Sequence, residues 1–190
     1  MPAKFVGEVV AKWLVEPGPD RTMELIEPFA FVQANGVEWK VPKGEKVDGA
    51  SIPQVGWTVF GSPYTGDYRR ASVVHDHYCR VRTRSSADTH RMFAEASVTD
   101  GVDQVTAGIL YTAVLLGGGS WPKPISEAPG AKGRIETISV IAEEDLEAMT
   151  DWIRKRKPSF DQIEARLNKT AVKLEVPAKS RLQSAEGGFR

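Results

Sequence analysis

His75 is followed directly by Asp76, and Asp88 lies one short helical hairpin further along the chain. An imidazole titrates near neutrality, so it can take a proton from water once a carboxylate fixes its tautomer. With two carboxylates nearby, one can orient the ring while the other holds a cation. Aspartate offers the hard oxygen that calcium prefers, and the Gly49 to Gly66 stretch could supply backbone carbonyls to complete such a shell. The same residues also have a plainer reading, with Asp88 as a helix-capping carboxylate and His75 as a hydrogen-bonded histidine at a packing edge. The sequence leaves both open.

Other residue types invite narrower chemistry. His75 and His77 lie about 200° apart on a helix and cannot share one metal, and His90 falls on the opposite flank from Asp88, so the pattern does not favour zinc. Cys79 stands one turn from His75, at the spacing for a thiol–imidazole contact or for an inert core cysteine. Arg69, Arg70, Arg80, Arg82 and Arg84 crowd one helix and its exit, and Arg154 to Lys157 form a second basic run. Either run suits phosphates or is a solvated face, and neither carries the interleaved aromatics of a nucleic-acid surface. Trp57, Phe60, Tyr64 and Trp121 fit an apolar channel beside His75 or a lid over the core.

Positioning these residues calls for packed helices. Asp67 is expected to cap a helix running to about Arg80 or Arg82, and Ser85-x-x-Asp88 has the form of a capping box for a second helix to about Thr99. A third helix is expected from about Val102 to Leu116. Helical periodicity puts Ala71, Val74, Tyr78 and Val81 on the buried stripe of the first helix and Thr89, Met92, Phe93 and Ala96 on that of the second. His75 and Asp88 then sit on the flanks. A first helix reaching Arg82 offsets His75 from Asp88 by roughly 9–10 Å along the axes, at about 1.5 Å per residue, and one ending near Cys79 brings them within reach.

Ahead of the helices, Phe5–Val15, Met23–Gln33 and Val37–Val41 read as strands, the last two joined by the hairpin signal Asn35-Gly36. Asp48 to Gly66 is a long Gly/Pro/aromatic loop, either functional or covering the sheet. Beyond Gly117-Gly118-Gly119, residues 122–141 form a linker with a possible strand at Ile135 to Ala142. A helix over Ala142 to Lys157 has an acidic start and a basic end, and a polar tail follows Pro158. The expected architecture is therefore α+β, with antiparallel N-terminal strands and a three-helix core over 1–121, a linker over 122–141, and a C-terminal helical extension and tail over 142–190.

The chain has 190 residues, with 25 basic side chains balancing 25 acidic ones, so no global field draws it to nucleic acid or an anionic membrane. One cysteine excludes an internal disulfide framework and suits a reducing cytoplasm. The longest apolar run, Val105 to Leu116, falls short of the roughly 18–20 residues of a membrane helix, and Met1-Pro-Ala-Lys-Phe lacks a signal-peptide pattern.

Taken in order, Asp48-Gly49-Ala50-Ser51-Ile52-Pro53, Ala71-x-x-x-His75-Asp76 and Ala87-Asp88-x-x-x-x-Phe93 resemble a family of short phage and prophage proteins, over about Lys4 to Trp121. The His-Asp helix followed by an Asp on the next helix is more distantly similar to secretory phospholipases of the A-two type. That resemblance implies a general base at His75, a calcium ligand at Asp76 and an orienting carboxylate at Asp88, acting on an ester or amide of a lipid or cell-envelope substrate. The other expectation is a virion structural or assembly protein, of the tail, neck or baseplate. In it the same polar residues stabilise the fold and the C-terminal extension binds other virion proteins. Either way, the protein is expected to be made in the host cytoplasm and incorporated in a virion.

Overall fold

The computed structural model describes residues 1–15, 22–48, 67–121 and 135–177. It has the expected α+β arrangement, with antiparallel strands at the N-terminus, helices after them and a C-terminal extension.

The first two apolar runs pair as one antiparallel ribbon, but each is broken in the middle. They give β1 (Lys4–Val6) and β2 (Ala11–Trp13) on one side, and β3 (Met23–Leu25) and β4 (Phe29–Val32) on the other. Register passes through the break unchanged, from Val6↔Ala30 to Ala11↔Leu25, with Ile26 N–H donating to Val10 O between them. The expected continuous strands Phe5–Val15 and Met23–Gln33 are thus corrected, and the cause is local. Gly7 adopts φ +80°, where a Cβ would sit 2.9 Å from Pro28 O, and Pro28 has no N–H to offer a ladder. The two halves then take different third strands. β5 (Glu38–Val41) joins β4, and β6 (Lys46–Val47), too short to show periodicity, joins β3. The Asn35-Gly36 hairpin forms as expected, with Gly36 at φ +87° and Val37 N–H donating to Asn35 Oδ1 at 3.0 Å.

α1 (Arg69–Val81) packs between the sheet and α2 (Ser86–Asp100), and this double contact buries it on nearly every side from Ala71 to Cys79. Two expectations fail here. Tyr68 rather than Asp67 is the N-cap and makes no side-chain cap hydrogen bond, and Val81 is exposed because the helix has by then run past its neighbours. α2 buries Thr89, Met92, Phe93 and Ala96, as its periodicity predicts. α3 (Gln104–Gly117) starts at the Asp103 cap and is buried from Ala107 to Thr112 and again at Val114.

Beyond the core helices, β7 (Ile135–Val140) and β8 (Val172–Pro177) pair antiparallel and enclose α4 (Glu143–Arg156) and α5 (Phe160–Thr170). α5 and β8 replace what reads as a polar tail. The Ser159-x-x-Gln162 capping box that starts α5 is a sequence signal in its own right. Met149, Ile153, Ile163 and Leu167 join the same apolar cluster as Leu110 and Phe93. Among the described residues, no helix is long and apolar enough to cross a membrane.

Candidate functional site

α1 carries His75 and Cys79 on one face, a turn apart, and α2 brings His90 against them. His75 Nε2 lies 2.9 Å from His90 Nδ1, and Cys79 Sγ lies 3.5 Å from His75 Nε2 and 3.8 Å from its Nδ1. All three side chains are buried. The His75 ring packs on Phe93 at 4.7 Å between centroids, and the His90 ring meets the edge of Trp121 at 5.6 Å. His90 Nε2 is 3.0 Å from the carbonyl oxygen of Gly119. A carbonyl only accepts, so this Nε2 carries the hydrogen, and in the neutral ring Nδ1 faces His75 with its lone pair.

The turn between the helices sets this pairing. α1 ends on Arg82 in the left-handed conformation, with its N–H donating to Tyr78 O, and α2 begins three residues later on the Ser85 cap. At about 1.5 Å per residue, Asp88 stands about 6 Å nearer the turn than His75 does, whereas His90 stands only about 3 Å nearer. His90 also lies on the inward side of α2. The hairpin therefore closes His90, not Asp88, onto His75. Asp88 is exposed and engaged in the cap, where its N–H donates to Ser85 Oγ at 3.1 Å and its Oδ2 accepts from the Ser85 hydroxyl at 2.6 Å.

Asp76 points to the other side of α1. It is buried and lines a cavity of about 550 Å³ with Arg70, Ser72, Asp100 and Met23, on the side of the β2–β3–β6 sheet. The structure thus distributes His75, Asp76 and Asp88 over three places. His77 faces Glu45, with Nδ1 3.0 Å from Oε1, and burial pushes its pKa down. Trp121 belongs to the core and donates its indole N–H to Arg84 O at 2.8 Å, while Trp57, Phe60, Tyr64 and most of the long loop lie outside the described residues. Much of the arginine cluster is engaged within the chain. Arg70 pairs with Asp100 and Arg80 with Glu45, Arg82 lies over Trp121, and Arg84 donates to Glu38 O.

The Cys79–His75 spacing is visible in the sequence, whereas the part played by His90 emerges only with the hairpin geometry. The two histidines lie on different helices, so no single-helix periodicity connects them.

The family model described as "Protein of unknown function (DUF1353)" matches residues 23–114, which include His75, Asp76, Cys79, Asp88 and His90. The chain is 41% identical over 107 residues to the uncharacterized protein y4jT of Sinorhizobium fredii, an alignment covering 56% of this chain and 32% of that protein. It is 38% identical over 109 residues to the uncharacterized protein y4iH of the same organism, covering 57% and 46% respectively. The matches thus span less than half the length of either relative. No solved structure matches the chain.

Proposed function

We propose that this chain is a non-catalytic structural or assembly component of a phage or prophage particle, of the tail, neck or baseplate, whose C-terminal extension docks on a neighbouring subunit. The observation that carries the non-catalytic reading is the setting of His75, whose ring is 0% exposed and whose Nε2 lies against His90 Nδ1. A general base needs water or substrate within hydrogen-bond reach. Asp88, the carboxylate expected to orient that base, serves the start of α2 instead. The phage context is supported by the three ordered motifs of the sequence. Docking through the extension is supported by the paired strands β7 and β8, on which Val140, Val172 and Leu174 are exposed on one face.

The test compares particles assembled with the wild-type chain and with Val172→Glu/Leu174→Glu. The expected result is wild-type protein in purified particles and loss of the variant from them, with unchanged circular dichroism of the free chain. Absence of the wild-type chain from particles would overturn the reading. So would an ester or amide hydrolysis abolished by Asp76→Asn and Asp88→Asn in folded protein, the outcome a calcium-assisted phospholipase-like site requires.

A further inference from the structure

We infer that His75 Nε2, Cys79 Sγ and His90 Nδ1 form a binding site for one zinc-like divalent transition ion that ties α1 to α2. The three side chains are buried in the seam between the helices, and one ligand atom from each lies within 4.8 Å of the other two. Zinc takes imidazole nitrogen at about 2.0–2.1 Å and thiolate sulfur at about 2.3 Å, so tetrahedral ligands stand about 3.5 Å apart for N and S and about 3.4 Å apart for two N. The Cys79 Sγ to His75 Nε2 separation of 3.5 Å matches in length, but Sγ is also 3.8 Å from Nδ1 and so lies over the ring face, and ligation needs the His75 ring to turn its Nε2 lone pair toward the sulfur. The two imidazole nitrogens, at 2.9 Å, need to part by about half an ångström, a small rotation of either ring.

A second, independent observation points the same way. The Gly119 carbonyl takes the His90 Nε2 hydrogen at 3.0 Å, leaving Nδ1 as the donor atom aimed into the cluster. This is the outer-shell bond that fixes tautomer and ring orientation for a metal-bound histidine. The donor set then decides the class of ion. Two imidazoles and a thiolate suit zinc and its transition-metal neighbours, whereas calcium and magnesium need oxygen. The site is therefore separate in place and in chemistry from the calcium reading of Asp76.

Binding releases one proton. The Cys79 S–H bond breaks, its electron pair forms the S–metal bond and that proton leaves to solvent, while His75 gives up the Nε2 hydrogen it donates to His90 Nδ1 and takes one on Nδ1 instead, so both imidazoles bind neutral. The thiolate also cancels one of the two charges brought into the buried seam, which lowers the desolvation penalty of the ion.

The experiment uses the full chain, stripped with chelator and then titrated with zinc and, separately, cobalt(II). The expected result is one ion per chain, a cobalt spectrum with tetrahedral d–d bands and a thiolate-to-cobalt charge-transfer band, and loss of that band in Cys79→Ser. His90→Gln is expected to weaken zinc binding by more than the roughly 10–100-fold that loss of an outer-shell partner costs, and Asp76→Asn to leave it unchanged. Because His90→Gln also removes a buried, packed ring, X-ray absorption on the zinc-loaded wild type provides the decisive measurement, with one sulfur, two imidazoles and one water oxygen expected around the metal. Sub-stoichiometric binding by the wild type, a cobalt spectrum unaltered by Cys79→Ser, or a shell of oxygen alone would overturn the inference and leave the cluster as a histidine pair packed on a thiol.

Discussion

Gly118 shows how tightly the buried cluster is held. A Cβ built there would lie 2.5 Å from His90 Cε1 and closer still to Val114 O, so the glycine permits the His90 ring to lie against the end of α3. The backbone at Gly118 is ordinary right-handed helix, so the requirement is for space and not for a special φ. Gly118→Ala is expected to cost about 1–3 kcal/mol, the range for overpacking a filled interior. It should also displace the His90 ring, seen as shifted imidazole resonances by NMR. Unchanged stability and unchanged His90 signals would mean that the α3 terminus yields freely. At this scale the site was only half legible. His75 and its turn-mate Cys79 stand out in the sequence, but Asp88 draws attention as the nearest carboxylate while His90, two residues on and about 200° around the helix, becomes the partner.

The elements are held by end effects that the sequence states more openly. Asp103 caps α3 by accepting from Val105 N at 2.9 Å and Thr106 N at 3.1 Å, and from the Thr106 hydroxyl at 2.6 Å. The Thr106 side-chain hydrogen bond, with the backbone N–H groups behind it, holds the carboxyl below its usual range. Its folded-state pKa is therefore lower than in the unfolded chain. The stabilisation is present above the unfolded value and is lost as pH falls through the folded one. Asp103→Ala should cost about 1 kcal/mol at neutral pH. Asp103→Asn, which keeps a capping oxygen, should cost less and flatten the acid limb of a pH–stability curve measured by urea unfolding. Ser85→Ala should likewise cost about 1 kcal/mol, through the start of α2. The capped helices and the Asn35-Gly36 hairpin were readable because local chemistry decides them. The ribbon break at Gly7 and Pro28 was not, since each residue reads as tolerable alone and only the close approach of Gly7 to the Pro28 carbonyl across the ribbon reveals the interruption. α5 escaped notice because its buried face rests on just Ile163 and Leu167 in an otherwise polar segment.

On the scale of the whole molecule, the C-terminal helices share the core formed by the segment the family model matches. That match ends at residue 114, yet Met149, Ile153, Ile163 and Leu167 lie in the same apolar cluster as Phe93 and Leu110. A Cβ at Gly108 would come within 3.0 Å of Ile163 Cδ1 and 3.1 Å of Ile153 Cγ2, which shows how closely α4 and α5 approach α3. Polar contacts follow the same seam. Tyr111 donates to Glu164 at 3.1 Å, and Arg91 on α2 pairs with Asp161 on α5. Burial, with the Glu164 charge behind it, raises the Tyr111 pKa, so its hydroxyl remains a donor throughout the neutral range. An extension joined by an apolar seam of this kind should unfold with the rest of the chain. The 19F signal of Trp152 on α4, in protein labelled with fluorotryptophan, is expected to follow the same urea transition as helix content by circular dichroism, as one cooperative step. Ile163→Ala should move both probes together by about 2–5 kcal/mol, because it opens a cavity between α3 and α5. If Trp152 instead responds at lower urea, together with only the part of the helix signal that α4 and α5 contribute, the extension is a separate cooperative unit. A core complete without α4 and α5 would then absorb the loss of Ile163 with little change in its own transition.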